Sequence, residues 1–411
     1  MLGLKSRWWI VAASAFSLAC SPGSVAVFTN SVFLKPITQD LHIGRGTYGS
    51  ALFIAALIGG ALLPFIGYLL DRFGSRRVLL TGTVFFSLGS ALQFFLTASP
   101  WVLYPLTIIR SMFDKGQSPI AHSAVVTKWF DRKRGLAIGI AMAGTGIGTV
   151  FLPPIIGYTI DAVGWRLTFV VLGAICLAVA WLPVFLFTRD PKPEEMEEAS
   201  VGKVAAPLPG MTLKEAMQGT WHFWALAIIF FLGVTALNGV LQHVVAFMQD
   251  RGLSLPEAAA ILGVSGIGSI LGRLVVGYLT DRFFAPYVAA GAFLVPMVGI
   301  ALFASGAGGI VPLIASAFCG FGIGAEIDLM AFMVGRYFGL KSFGVLLGVL
   351  HGVFSAFSGL GTFISGMSFD RFHSYTPAFI LYEAMLFAIC VTFLFFGPYR
   401  YPVRTTVPAA I

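Results

Sequence analysis

The sequence predicts an all-α membrane protein, with twelve transmembrane helices arranged as two pseudo-symmetric six-helix halves. Three observations carry that prediction. Of the 411 residues, 57% are hydrophobic and only 11% are charged, far from the balance of a soluble domain. Crossing a bilayer takes roughly 20 apolar residues per helix, and twelve such stretches follow one another along the chain. The chain also repeats itself. Gly67-Tyr-Leu-Leu-Asp71-Arg72-Phe73-Gly74 returns 210 residues later as Gly277-Tyr-Leu-Thr-Asp281-Arg282-Phe283-Phe284. Trp129-Phe130 answers Tyr337-Phe338 at an offset of 208, and Gly157-Tyr-Thr-Ile-Asp161 answers Gly366-Met-Ser-Phe-Asp370 at 209. Three echoes at nearly one spacing imply a duplicated half. Parallel halves of membrane helices imply a transporter whose substrate site lies between them at mid-membrane.

In the first half the spans are expected near 8–34, 47–70, 78–98, 101–127, 135–160 and 166–188. In the second they are expected near 219–248, 256–280, 286–306, 309–334, 342–368 and 375–398. The halves are drawn at 1–188 and 219–411, joined by a hydrophilic linker over 189–218. That linker holds Asp190-Pro191-Lys192-Pro193 and the acidic run from Glu194 to Glu198. Thr212-Leu-Lys-Glu215 within it has the pattern of a capping box and predicts a short surface helix. The first apolar stretch is too long for a cleaved signal peptide and belongs to the repeat, so it is expected in the mature protein. Cys20, Cys176, Cys319 and Cys390 sit inside apolar stretches without paired spacing, which implies neither disulfides nor a metal site.

Basic residues set the orientation. Arg72, Arg76 and Arg77 follow the second helix, and Lys128, Arg132, Lys133 and Arg134 follow the fourth. Lys203 and Lys214 lie between the halves, and Arg282, Arg336 and Lys341 follow the eighth and tenth. With the termini, about eighteen Lys and Arg fall on this side and about four or five on the other, including Arg45, Arg166, Arg251 and Arg371. Both termini and the linker are therefore expected in the cytoplasm, with the chain multi-pass in a cell (inner or plasma) membrane. The same asymmetry explains the net charge of +8. No soluble basic domain gathers these residues, which excludes a nucleic-acid partner.

Charges inside the spans are costly unless they face partners or water. Arg273, in the eighth helix, carries a planar fork suited to a carboxylate; the bland alternative is a permanent ion pair with Glu326 or Asp328. Asn238, Gln242 and His243 on the seventh helix are spaced i, i+4, i+5, so at least two share a face. On the fourth helix Arg110 and Asp114 are expected to pair at i, i+4. Lys115, about 100° round, either offers the cavity a second cation or joins a structural network with them. Glu326, Asp328, Asp114 and Glu383 are protonatable candidates for coupling; His351 in the eleventh helix is a further one, and His122 lies on the fourth.

The loop Gly67-x-x-x-Asp71-Arg72-x-Gly74-x-Arg76-Arg77, with its copy at Gly277–Arg282, resembles the signature loop of the major facilitator superfamily. Gly144-x-Gly146-x-Gly148 followed by Pro153-Pro154-x-x-Gly157 resembles that family's glycine-proline motif on the fifth helix. Finer placement comes from Trp129-Phe130-x-x-Lys133-Arg134-Gly135-Leu-Ala-x-Gly139 and from Gly324-Ala-Glu326-x-Asp328 before Arg336-Tyr337-Phe338-Gly339. These are similar to the bacterial monocarboxylate transporter and oxalate/formate antiporter branch. The resemblance implies a gating role for Asp71, Arg72, Arg76 and Asp281. It also implies a substrate-carboxylate contact for Arg273 and a ligand contact for His243.

Two departures bear on coupling. Animal monocarboxylate carriers have an aspartate four residues before the helix-8 arginine, where this chain has Ser269, and a lysine in the first helix, where it has Phe28. Ser269, Phe28, Asn238, Gln242 and Lys115 are accordingly counted as substrate-cavity residues beside Arg273 and His243. Glu326, Asp328, Asp114 and Arg110 make up the coupling network. The expected function is secondary active transport of small organic anions, such as lactate- or pyruvate-like monocarboxylates, by alternating access and with protons as co-substrate. Two alternatives stay open, namely carboxylate exchange of the oxalate/formate type and efflux of amphipathic compounds. No phosphate-binding loop, metalloprotease signature or added sensor domain is present, so ATP drive, catalysis and cofactors are not expected. The partners are the carboxylate, protons and the bilayer, and a monomer is expected.

Overall fold

The structure, a computed structural model, describes residues 7–117, 119–130, 134–189 and 209–401. Those residues are helical apart from connecting turns and one isolated bridge, Gly210 to Gly339. α1 is built from Trp8–Ala19, a π-helical turn at Gly23–Thr29, and Asn30–Asp40. α2 combines Arg45–Ala61 with Leu63–Phe73, and α3 is Ser75–Ala91. α4 runs as Pro100–Asp114, a 3-10 turn at Lys115–Gln117, and Pro119–Trp129. The helical run Arg134–Cys176 is really two helices, because Gly164 at φ 79° turns the chain where a side chain would be strained. Its first part is α5; its second, continued to Phe187, is α6.

After the linker come α7 (Trp221–Leu241 and Val244–Gln249), α8 (Leu255–Thr280) and α9 (Ala285–Ala304). α10 is Val311–Phe338, α11 combines Phe343–Phe357 with Leu360–Phe372, and α12 is Thr376–Leu394. Among the described residues, ten stretches are long and apolar enough to cross a membrane. One of them holds both α5 and α6, and α4, which carries Arg110, Asp114 and Lys115, is outside the ten. Twelve spans result, as the sequence predicts.

The expected capping box is present at Leu213–Gly219. The Thr212 N–H donates to Glu215 Oε2 at 2.7 Å and the Glu215 N–H to Thr212 Oγ1 at 3.3 Å. Residues 190–208, with the acidic run and Lys203, lie outside the described residues, as do Arg132 and Lys133. All four cysteines are buried and free.

The repeat is visible in hydrogen bonds. Trp129 Nε1 donates to the carbonyl of Arg189, 2.8 Å away, and Tyr337 Oη to that of Gly397, at 2.7 Å. Both donors and both acceptors are 208 residues apart. Each half thus ties the aromatic end of its fourth helix to the end of its sixth, which explains why that dipeptide recurs.

The halves meet along two seams. In one, α2 lies on α11: a side chain on Gly49 would stand 2.9 Å from the Cα of Phe363, and one on Gly60 3.0 Å from that of Ala356. In the other, α5 lies on α8: Gly263 and Gly266 approach the Val150 backbone so closely that a Cβ would stand 2.8 Å away, and Gly157 abuts Ala259. Both seams lie toward the end of the bundle that carries few basic residues, here the far end. Toward the basic end the helices part, and Gly67, Gly139 and Gly277 meet nothing within 4 Å. The molecule is sealed at the far end and open at the basic one.

Removing either tie should cost about 1 kcal/mol, the net worth of one partly buried hydrogen bond. Tyr337→Phe and Trp129→Phe are each expected to lower the thermal midpoint of the purified protein by about 1 °C, since the unfolding entropy of a chain this long is large. Unchanged midpoints in both would show that the repeated clamp carries no stability.

Candidate functional site

Packing of α8 on α10 builds the centre of the site. Small residues at Gly268, Gly272, Gly320 and Gly324 let the two backbones touch. Gly320 sits against the backbone of Ser265 and Gly324 against that of Ser269. This register carries one turn further, to Arg273 and Asp328, and Arg273 Nη1 lies 3.4 Å from Asp328 Oδ1. Ser269 therefore has no acid of its own to offer, but the acid arrives from α10. Arg273 also continues the stripe Ala259, Gly263, Gly266, Ile270, by which α8 faces α5. It sits where that seam parts, with its side chain 16% exposed and that of Asp328 43%. Glu326, two residues from Asp328, is on another face. It is 1% exposed and packs on Gly233 of α7, so it is not the partner of Arg273.

On α4 the expected Arg110–Asp114 pair is replaced by other partners. Arg110 is buried among α1, α3 and α6, where Nη1 donates to Asn30 Oδ1 at 3.0 Å and the guanidinium lies over Phe169. Asp114 instead holds Lys115 Nζ at 2.8 Å. Arg110 and Asp114 lie on one regular helix, so the spacing holds; Arg110 turns instead to Asn30 and Phe169, while the adjacent Lys115 takes the carboxylate. Lys115 runs beside Gly59 of α2 and comes within electrostatic reach of His351 on α11, in the other half. His122 is fully buried, with no hydrogen-bond partner among the described residues. Phe28 lies in the π-helical turn of α1 and is buried in the core. Glu383 is on α12, which packs on α9 and α7 and lines neither seam.

α7 breaks at Gln242 and His243, and the break resets which residues share a face. Asn238 Nδ2 donates to Ser358 O at 3.1 Å, and His243 Nε2 lies 3.0 Å from Thr362 O, one turn further along α11. The face is thus shared at i, i+5. Gln242 is buried, and its Oε1 has no hydrogen-bond partner among the described residues. His243 does not stand in the open cavity: its Nδ1 is 3.1 Å from Tyr375 Oη, inside the far-end seal.

That seal is a charge network the sequence reading missed. Arg45, at the start of α2, pairs with Asp250 through both terminal nitrogens, at 2.6 and 3.0 Å. It also donates to Tyr375 Oη and lies 3.7 Å over the Phe369 ring. Lys35 of α1 reaches the same Asp250 at 2.8 Å. Asp370 of α11 accepts from the N–H groups of Arg45 and Gly46, at 2.9 and 2.8 Å. Burial alone would raise the Asp250 carboxyl, yet hydrogen bonds and charge from Arg45 and Lys35 hold it below its ordinary value. The available signal was several charged residues gathered at the far ends of α1, α2, α7 and α11, where the chain otherwise holds few.

The signature-loop residues are at the open end. Arg72 donates to Tyr68 Oη at 2.6 Å within α2, and Arg76 to the Phe185 carbonyl at 3.0 Å within the same half. Asp281 is exposed, and the Asp71 side chain lies outside the described residues. Among the described residues, no ion pair involving Arg72, Arg76 or Asp281 joins the halves across this end.

A twelve-helix bundle of two repeated halves, with ionisable side chains where the seams part, defines a transporter, and the comparisons agree. The family model for the Major Facilitator Superfamily matches residues 14–361, and the chain belongs to that family. It is 27% identical over 407 residues to human monocarboxylate transporter 12, covering 91% of this chain and 77% of that protein. It is 24% identical over 411 residues to the MFS-type transporter YcxA of Bacillus subtilis, covering 94% and 92%. Among solved structures, the D-xylose-proton symporter superposes with a TM-score of 0.70 at 15% identity, covering 95% of this chain and 97% of that one. A bacterial homologue of the human lysosomal transporter Spinster, in an inward-facing and unoccupied conformation, gives 0.65 at 18%, covering 95% of each. The protein is a transporter, not an enzyme.

Arg45→Ala should weaken far-end closure by about 2 kcal/mol, the lower end for truncating a buried charge pair, because Asp250 is partly exposed. Reaction of a far-end cysteine probe with a membrane-impermeant thiol reagent should then rise about 30-fold. The pH dependence has a definite sign. A depressed Asp250 contributes fully above its ordinary value of 3.8, and that contribution fades as pH falls through the lower value it has when paired. The wild-type seal should therefore loosen only in strong acid, and Asp250→Asn should remove that acid sensitivity. An Arg45→Ala protein with wild-type probe reactivity would show that the network seals nothing.

Proposed function

We propose that the chain is a secondary active transporter of small organic anions, monocarboxylates of the lactate or pyruvate kind, working by alternating access. The observation that carries this reading is Arg273. It is the cation on the α8 stripe at the point where the α5–α8 seam opens, held by one acid, Asp328, at 3.4 Å. A guanidinium offers a carboxylate two parallel donors in a fixed plane, which an ammonium cannot. The names of the relatives among monocarboxylate transporters support the same substrate class.

Charge balance supplies the coupling. A substrate carboxylate and Asp328 compete for one guanidinium. When Asp328 takes up a proton, Arg273 is released to the anion, and proton and monocarboxylate cross together as a neutral load. Asp328 thereby does from α10 what Ser269 cannot do on α8. The positive-inside bias places the basic end in the cytoplasm of a cell membrane, so the open cavity faces inward and the sealed end outward. Lys115, held by Asp114 and within reach of His351, offers a second anion contact from the other half. If the anion displaces Asp328 without a proton, the same geometry performs carboxylate exchange.

Reconstituted vesicles test this. Wild-type protein should show counterflow of a monocarboxylate without ATP, and net uptake under an inward proton gradient. Arg273→Lys should lower carboxylate affinity at least about 30-fold, since loss of a buried charged hydrogen-bond partner costs roughly 2–5 kcal/mol. Asp328→Asn should keep counterflow while losing gradient-driven accumulation. Unchanged affinity in a folded Arg273→Lys or Arg273→Ala protein would move the carboxylate site to Lys115 and Arg110. Gradient-driven accumulation in Asp328→Asn would place the proton elsewhere.

A further inference from the structure

The two far-end seams are held differently, and the difference tells which one moves. The N-terminus of α2 has no cap of its own. Gly44 precedes Arg45 and has no side chain to offer, and the first N–H groups of the helix are met by Asp370 from α11 of the other half. Its carboxylate spans both donors, at 2.9 and 2.8 Å, and sits at the positive end of the helix dipole. The glycines on either side make room, for a Cβ on Gly46 would stand 3.0 Å from Asp370 Oδ2. α8 starts at the repeat-related place but caps itself. The Ser254 N–H and Oγ both donate to Glu257 Oε2, at 2.9 and 2.7 Å, within one half. The repeat partner of Asp370 is Asp161 at the end of α5; it is exposed and makes no hydrogen bond among the described residues.

The α2–α11 seam is therefore crossed by a helix cap and flanked by the Arg45–Asp250 pair. Such contacts are directional; they are either made or broken. When broken at this water-facing end, every freed group can be hydrated. The α5–α8 seam shares with the other the contact of backbone on backbone, at Gly146, Gly263 and Gly266, but no ion pair or side-chain hydrogen bond crosses it among the described residues. Contacts of that kind tolerate a small rotation without leaving a polar group unpaired. We propose that the far end opens at the α2–α11 seam, with Asp370 as its catch, while the α5–α8 seam stays closed and acts as the pivot. This goes beyond the transport reading, and it holds or fails whatever the substrate is.

Two spin-label pairs in the full-length protein in nanodiscs test it, with no substrate added. Thr47 with Met367 spans the α2–α11 seam, and Tyr158 with Ala260 spans the α5–α8 seam; all four positions are exposed. Loss of a helix cap is worth a factor of about five in an equilibrium. Asp370→Ala should raise the long-distance population of the first pair about fivefold and leave the second pair unchanged. Asp370→Asn, which keeps the shape and removes the charge, should give a smaller rise, and it decides the matter if the alanine variant does not fold. Glu257→Gln, which weakens only the self-made cap of α8, should move neither pair. Widening of both pairs together, or of neither, in the Asp370 variants would overturn the proposal.

Discussion

The site depends on how closely α8 and α10 approach each other. In a bilayer, apolar side chains gain little by leaving lipid for one another, so helices associate where small residues allow tight packing. Gly268, Gly272, Gly320 and Gly324 supply that fit and fix the register between the two helices. Once Gly324 is seated on Ser269, Asp328 must stand beside Arg273, one turn on, and Glu326 must turn away toward Gly233. A shift of one residue would rotate α10 by about 100° and leave Arg273 without its acid.

The same constraint shapes the conformation. Close contact at glycines holds both seams shut over the far part of the bundle and ends where the helices diverge. The ionisable groups sit at the two places where this packing gives way. Arg273 and Asp328 lie where the α5–α8 seam parts, and Arg45, Asp250 and Asp370 lie where the far end meets water. Neither set is a bare charge in hydrocarbon, since each cation has a carboxylate partner. Such pairs lower the cost of burial and can be exchanged for another anion or for a proton.

Spacing along a helix says which side chains can meet, and packing decides which of them do. Arg110 and Asp114 stand i, i+4 on one α-helix, yet Arg110 turns to Asn30 and Phe169 and Asp114 pairs with Lys115. On α7 two of the three polar residues do share a face, as the spacing implies, and α11 shows that the two are Asn238 and His243. His243 in consequence belongs to the seal rather than to the open cavity. Which neighbour a buried side chain reaches is set by packing against other helices, and a single sequence does not display those neighbours.

The sequence by itself determined the twelve spans, the duplicated half, the family and the identity of Arg273 as the cation to examine. Those features are written in hydropathy, in spacing and in short motifs, all of them local along the chain. Only the tertiary structure decided that Asp328 rather than Glu326 holds Arg273, and that Arg45, Asp250 and Asp370 close the far end. Asp370 and Arg45 are 325 residues apart. Their meeting follows from the angle between two halves, and no periodicity within either half encodes it.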